Sequence, residues 1–539
     1  MKNVFKTIIL ACFVITQPLF SCRTGEIKDG TYIIEIYSTN DVHGRVFDSL
    51  YTEKERNPYS LSSLSTVIKQ AREKRGDKGV ILLDAGDFLQ GDNSVYYYNY
   101  VDTVSEHIFS KVVNYLKYDA VAVGNHDIEA GHGVYDRVRE QISAPYLAAN
   151  AVSVFTGSPY FTPCHIINKN GIKTAVIGLT NPNIKKWLSE HLYSGMDFTE
   201  AVPLVDSLIK DVVERENPHL VIGLFHIGLG DQTTYDPENC AKYVASSSEG
   251  FDVIFAAHDH KKFAGFVTNG RDSVALMEAG SRASGVSRAT VTIEFKDGKV
   301  VSKRVVPEII ELQGINTDTE YNGFFRSDFL TVRNFTKRDI GVLKYDLNSA
   351  GVLDGPTEYV DMIHKLQLES SGADISFAAP LNLNLKLSEG ALNFQDLMSI
   401  YPFENNLYVL GMFGYEIKEY LEYSYSQWIS KAGMKYNYDS AAGIFYEVKL
   451  SGGEGNKIKI ISLADGSPFI PNKTYKVAMT SYRANGGGDL LVKGAKIAED
   501  QLKVRVQEKG EDIRGLLHKK ILERGELTPE KLNHWKFVK

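Results

Sequence analysis

Five short apolar runs in the first half of the chain each end in a cluster of metal-ligating side chains, and no other feature constrains the fold as much. Tyr32–Tyr37 is followed by Asn40-Asp41-Val42-His43-Gly44, Val80–Leu83 by Asp84-Ala85-Gly86-Asp87, and Ala120–Val123 by Gly124-Asn125-His126-Asp127. Leu220–Leu224 leads to His226, and Val253–Ala256 to Ala257-His258-Asp259-His260. A sixth run, Thr174–Ile177, carries no such cluster. Several runs are continuously apolar, which suits strands covered on both faces. Between them Leu61–Lys74, Thr103–Leu116 and Val202–Glu216 read as helices. The alternation predicts a layered α/β domain. Such sheets gather ligands beyond the carboxyl ends of their strands, and here those ends carry the chemistry.

Two divalent cations a few ångströms apart need a shared carboxylate flanked by oxygen and imidazole donors. Asp84 is the expected bridge, with Asn125, His226 and the His258/His260 pair completing the set. Asp87 is expected to support the site or cap the next helix. Any one of these motifs alone also suits a surface turn or a satisfied core histidine. Five in order at strand ends do not.

A length of 539 residues exceeds one ordinary core, and the pattern changes near residue 340. Gly285–Val305 reads as a strand pair and Asp318–Lys337 as a connecting helix. Beyond it Asp361–Glu369 and Gly414–Ile429 read as helices. Leu407–Met412, Ile444–Leu450, Lys457–Ile461 and Lys476–Met479 read as strands. The expected organisation is a signal peptide at 1–21, a catalytic domain at 22–313, a linker helix at 314–339 and a mixed α/β domain at 340–539.

With 67 acidic and 60 basic residues, the net charge of −7 speaks against a nucleic-acid polymer as partner. Four cysteines without a Cys-x-x-Cys pair exclude a disulfide scaffold and a zinc ribbon. Lys2 and Lys6 precede the apolar run Thr7–Val14, too short to span a membrane comfortably. Leu19-Phe20-Ser21-Cys22 is similar to a bacterial lipoprotein box. This implies acylation of Cys22, contact with a membrane only through that anchor, and a periplasmic or cell-surface location.

The ordered set Asn-Asp-Val-His-Gly, Asp-Ala-Gly-Asp, Gly-Asn-His-Asp, His226 and His-Asp-His resembles the calcineurin-like metallophosphoesterases. The C-terminal half resembles the 5′-nucleotidase family and its 2′,3′-cyclic-nucleotide phosphodiesterase/3′-nucleotidase relatives. The resemblance implies two divalent ions such as zinc or manganese. Asp41, His43, Asp84 and His260 would hold one ion; Asp84, Asn125, His226 and His258 would hold the other. It implies hydrolysis of small nucleotides, with His126 donating to the phosphoryl group or leaving oxygen and Glu129, or else Asp127, orienting it. It also places the base between Phe403 and Tyr482, with Tyr401 as an alternative to the first ring, and Asn485, Gly487 and Asp489 beside the substrate. The triple glycine Gly486–Gly488 suggests close backbone approach to a ligand. Where 5′-nucleotidases carry an arginine after an asparagine-glycine-glycine segment, this chain reads Ala378-Ala379-Pro380-Leu381. That departure favours the cyclic-nucleotide branch. Nucleotide-sugar hydrolysis, another small phosphate ester, and a non-catalytic surface binding protein are the alternative readings.

Overall fold

The computed structural model describes residues 27–51, 57–270, 272–430 and 437–539. The lipoprotein segment and Cys22 lie outside the described residues. All six runs are strands: Gly30–Thr39, Val80–Asp84, Ala120–Ala122, Ile172–Leu179, Leu220–Phe225 and Val253–Phe255. They divide into two six-stranded sheets. In the first, Gly30–Thr39, Val80–Asp84, Ala120–Ala122 and Tyr146–Leu147 run parallel, extended by the antiparallel pair Gly285–Lys296 and Lys299–Glu311. In the second, Ile172–Leu179, Leu220–Phe225, Val253–Phe255 and Asp272–Ala279 run parallel between antiparallel edges.

Period-two alternation in each strand sorts the side chains into layers. Ile34, Ile81 and Ala120 of one sheet meet Val176, Ile222 and Met277 of the other in a dry central layer. The opposite faces carry Tyr37, Leu82 and Val121 under the helices Leu61–Arg75 and Ile108–Leu116. Ile177, Val221 and Ile254 lie under Ala201–Glu216 and Ala241–Ser247. The order helix, sheet, sheet, helix brings the two sets of parallel strand ends to one rim, which positions the site.

The expected connector is two helices, Thr319–Phe324 and Arg326–Thr336, interrupted at Phe325. Tyr321, Phe325 and Val332 belong to the first domain's apolar cluster. The second domain centres on a five-stranded sheet, with Ile375–Ala378, Asn406–Phe413 and Thr474–Thr480 at its middle. Helices Glu358–Ser371 and Gly414–Ser430 accompany it. The domains meet where Tyr96 packs on Phe394, centroids 5.1 Å apart, and under the Arg514 guanidinium at 4.8 Å. Among the described residues no helix is long and apolar enough to cross a membrane. Cys164 and Cys240 are free thiols.

Candidate active site

The ligand-bearing residues sit one to five positions beyond their strands, on tight loops. Asp41, His43, Asp87, His258 and His260 all have positive φ, between 47° and 88°. Left-handed backbone at five non-glycine residues of one site is strain that the surrounding packing must hold. Part of that packing is the contact between the loops after Val80–Asp84 and Ala120–Ala122. A Cβ on Gly124 would lie 2.1 Å from Asp87 Oδ1, so only glycine fits.

The side chains converge through their metal-ligating atoms. His43 Nδ1 lies 3.1 Å from the Gln90 carbonyl and therefore carries the proton. Its Nε2 lone pair then faces His260 Nε2 at 3.1 Å, with Asp41 Oδ1 3.6 Å from the same His260 nitrogen. His226 repeats the pattern: Nδ1 donates to the Ala85 carbonyl at 2.8 Å, leaving Nε2 toward Asp87 Oδ2 and Asn125 Oδ1, both at 3.1 Å. His258 Nε2 is 3.2 Å from Glu238 Oε1, and its Nδ1 is 2.9 Å from Asn125 Oδ1. Asp41, His43 and His260 form one group able to hold a cation, and Asp41, Asp87 and His226 a second. Lone pairs aimed at lone pairs across about 3 Å repel unless a cation or a proton lies between them. The donor set fits divalent metal.

The expected bridge Asp84 and its neighbour Asp87 sit in different surroundings. Asp84 is the last residue of its strand, paired in register with Thr39, and both its oxygens are engaged locally. Thr39 Oγ1 donates to Oδ2 at 2.5 Å and the Gly86 amide to Oδ1 at 2.9 Å. Burial pushes the Asp84 carboxyl up to about 8, with Asp127 and Asp41 adding to the rise. Asp87 is the carboxylate between the histidines. Burial opposes its charge too, yet His226 and His126 hold it well below the usual carboxylate range. Beside it, His226 is carried up to about 9 against the effect of burial.

His126 is the second residue of the short helix Asn125–Glu129, its amide donating to Asp87 Oδ1 at 2.8 Å. Its Nδ1 lies 2.5 Å from Glu129 Oε2. Burial would lower the imidazole, but Asp87 and then Glu129 carry it up to about 10. Asp127, the other candidate partner, is occupied: its buried carboxylate accepts the amides of Asp87, Phe88, Leu89 and Gly124. It ties the two loops together.

In the second domain Phe403 and Tyr482 are half-buried, whereas Tyr401 is a core residue with its carbonyl accepting from Arg514 at 3.3 Å. The glycine-rich loop is shaped from within. Arg483, buried against Asp439 at 2.7 Å, also donates to the Gly487 carbonyl at 3.0 Å. A Cβ on Gly487 would strike the Tyr482 ring at 2.4 Å. The close approach is therefore that of the ring to the backbone. Asp489 turns outward to Lys493 at 2.8 Å, and Asn485 keeps a buried side-chain amide nitrogen without a partner.

Two family matches divide the chain as its layers do. The calcineurin-like phosphoesterase family matches residues 34–262, and the 5′-nucleotidase C-terminal domain matches 339–493. The chain belongs to the 5′-nucleotidase family of calcineurin-like phosphoesterases. It is 24% identical over 93% of its length to the trifunctional nucleotide phosphoesterase protein YfkN of Bacillus subtilis, of which it spans only 38%. It is 25% identical to the 5′-nucleotidase of Vibrio cholerae, covering 90% of this chain and 91% of that one. A Staphylococcus aureus structure solved with α-ketoglutarate superposes with a TM-score of 0.80, at 20% identity over 94% of this chain and all of that one.

In this family member, Asp87, Glu238 and Trp187 are the site residues that the sequence pattern did not assign to metal binding. The signal for Asp87 is positional. An Asp that closes a strand points across the sheet, while one three residues later reaches past its edge. Glu238 and Trp187 come from loops with no motif and had no signal of that kind.

Proposed function

We propose that the protein is a two-metal phosphoesterase acting on nucleotides outside the cytoplasm. One observation carries the reading: the Nε2 atoms of His43 and His226, oriented by carbonyl partners on Nδ1, converge with Asp41, Asp87 and His260 into two groups able to hold a cation. Asp41, His43, His260 and Asp87 hold one cation; Asp87, Asn125, His226 and His258 hold the other. Asp87 thus replaces Asp84 as the shared carboxylate, and Asp84 braces the loop through Thr39 and Gly86. When bound, such ions neutralise phosphoryl charge and make water a nucleophile near neutral pH.

The chain's own residues do the rest. Glu129 holds His126 so that Nε2 faces the cleft, where it donates to a phosphoryl oxygen or to the leaving oxygen. Phe403 and Tyr482 stack on the base, whose π-face makes such a contact tolerant of base identity. Asn485 supplies an unpaired amide beside that pocket. Similarity to YfkN, a trifunctional nucleotide phosphoesterase, and to the Vibrio cholerae 5′-nucleotidase agrees with a nucleotide substrate. Acylation of Cys22 anchors the protein to a membrane by lipid rather than by a spanning helix.

The test is hydrolysis of a nucleotide panel by chelator-treated protein, before and after manganese or zinc is restored. Activity that disappears and returns supports the reading; undiminished activity without metal refutes it. For the anchor, Cys22→Ser moves the protein from the membrane to the soluble fraction, and unchanged membrane association rejects acylation.

A further inference from the structure

Trp187 takes no part in the phosphoesterase chemistry, yet its indole stacks on His258 with centroids 5.2 Å apart and planes 18° from parallel. A liganding imidazole must have both its tautomer and its plane set. Glu238 sets the first: a carboxylate accepts, so His258 Nε2 carries the proton and Nδ1 presents its lone pair beside Asn125. The flat face of Trp187 sets the second. The need for such support is local, since His258 has the largest positive φ of the five strained site residues, 88°.

Trp187 closes the short helix Ile184–Trp187, and the strap around it reaches in two directions. At its start the buried Asn181 donates to the Glu238 carbonyl at 3.0 Å, tying both supports of His258 together. At its end Ser189 Oγ lies 2.5 Å from Tyr408 OH of the second domain, both side chains buried. Lys186 meets Glu499 at 3.3 Å, also across the domain boundary. Exposed ion pairs of that kind hold weakly, so the buried hydroxyl pair is the firm link.

We propose that Trp187 is a positioning residue for His258, and that the strap 181–190 makes the alignment of this histidine depend on the seating of the C-terminal domain. The proposal rests on His258 being a metal ligand.

Manganese titrated into chelator-treated, full-length protein tests it, reading stoichiometry, Kd and tryptophan emission. The chain has three tryptophans, and Trp428 and Trp535 pack together in the second domain's core, 5.9 Å apart. Quenching by the paramagnetic ion therefore reports Trp187 and disappears in Trp187→Phe. That variant, which keeps an aromatic face, should bind two ions with nearly unchanged Kd. Trp187→Ala should still bind two, with one Kd raised by about 10- to 100-fold. Wild-type Kd values in Trp187→Ala overturn the positioning role, as does equal weakening in the Phe and Ala variants when both melt normally. His258→Ala should bind one ion. If it binds two with wild-type affinity, the ligand assignment has failed; if it binds one while Trp187→Ala binds normally, only the positioning role has. The double variant Lys186→Ala/Ser189→Ala keeps the indole and frees the strap, and should raise the same Kd about threefold or more. An unchanged Kd there overturns the dependence on domain seating.

Discussion

His126 Nδ1 and Glu129 Oε2 lie 2.5 Å apart within one short helix, so the imidazole enters the site with its tautomer and plane set by its own chain segment. Neither residue belongs to the converging ligand groups. His126→Ala should therefore leave both metals bound and lower kcat by about 10²-fold or more. Glu129→Gln should move kcat in the same direction with metal content again intact. Steady-state kinetics alongside elemental analysis checks both. Loss of a metal from His126→Ala would make that histidine a ligand.

Gly487 gives a prediction about the base pocket. Because a Cβ there would strike the Tyr482 ring, Gly487→Ala should displace the ring and raise KM for nucleotides. A phosphodiester without a base should be hydrolysed as before. Phe403→Ala and Tyr482→Ala should each weaken nucleotides by roughly 1–3 kcal/mol, with the same sparing of the baseless substrate. Equal losses on both substrates would return these residues to core packing.

Most of the catalytic domain was legible because its strands announce themselves twice, in their apolar runs and in the ligand-rich loops at their carboxyl ends. The runs from Tyr32–Tyr37 to Val253–Ala256 all became strands, and the loops after five of them form the rim of the site. The choice of bridge between Asp84 and Asp87 was not legible because both fall in one tetrapeptide. Only the register Thr39↔Asp84 reveals that Asp84 is still inside the sheet. The glycine-rich loop was legible as a tight loop, and Tyr482 is the ring that crowds it at Gly487. Glu238 and Trp187 reach His258 through tertiary contacts between segments about 20 and 70 residues away in sequence, and local patterning carries no trace of such contacts.

Two buried histidines outside the site contribute to the acid side of the stability profile. Burial lowers His364, held between Ser376 and Ser440, and His107, whose Nδ1 accepts the Phe109 amide, each to about 3. Unfolded histidine titrates near 6.5, so between pH 6.5 and 3 the unfolded chain binds more protons than the folded one. Stability should be unaffected by these groups above pH 6.5 and fall below it, by up to about 1.4 kcal/mol per pH unit for each. Urea titrations at pH 7.5, 6 and 5 check this, and His364→Gln should flatten the slope. A slope identical in that variant would assign the acid loss to other groups.

The position of the reacting phosphate separates the branches of the family. With phosphate at the metals and base between Phe403 and Tyr482, moving the ester from the 5′ to the 3′ side reorients the ribose between two fixed anchors. The segment Ala378-Ala379-Pro380 lacks the arginine expected of 5′-nucleotidases. The predicted order of kcat/KM is 2′,3′-cyclic and 3′-nucleotides above 5′-nucleotides, measured with one base throughout. The reverse order would place the chain in the 5′ branch and leave its metal chemistry untouched.

The proposed mechanism turns on Asp87, and not Asp84, being the carboxylate two cations share, and counting bound metal in two conservative variants decides between them. In Asp87→Asn the shared charge between His226 and the neighbouring groups is gone, so the protein should bind at most one ion tightly and lose hydrolysis. In Asp84→Asn the amide oxygen still accepts the Gly86 amide, so two ions should remain with activity close to normal. Two tightly bound ions in Asp87→Asn, or their loss in Asp84→Asn alone, would overturn the assignment.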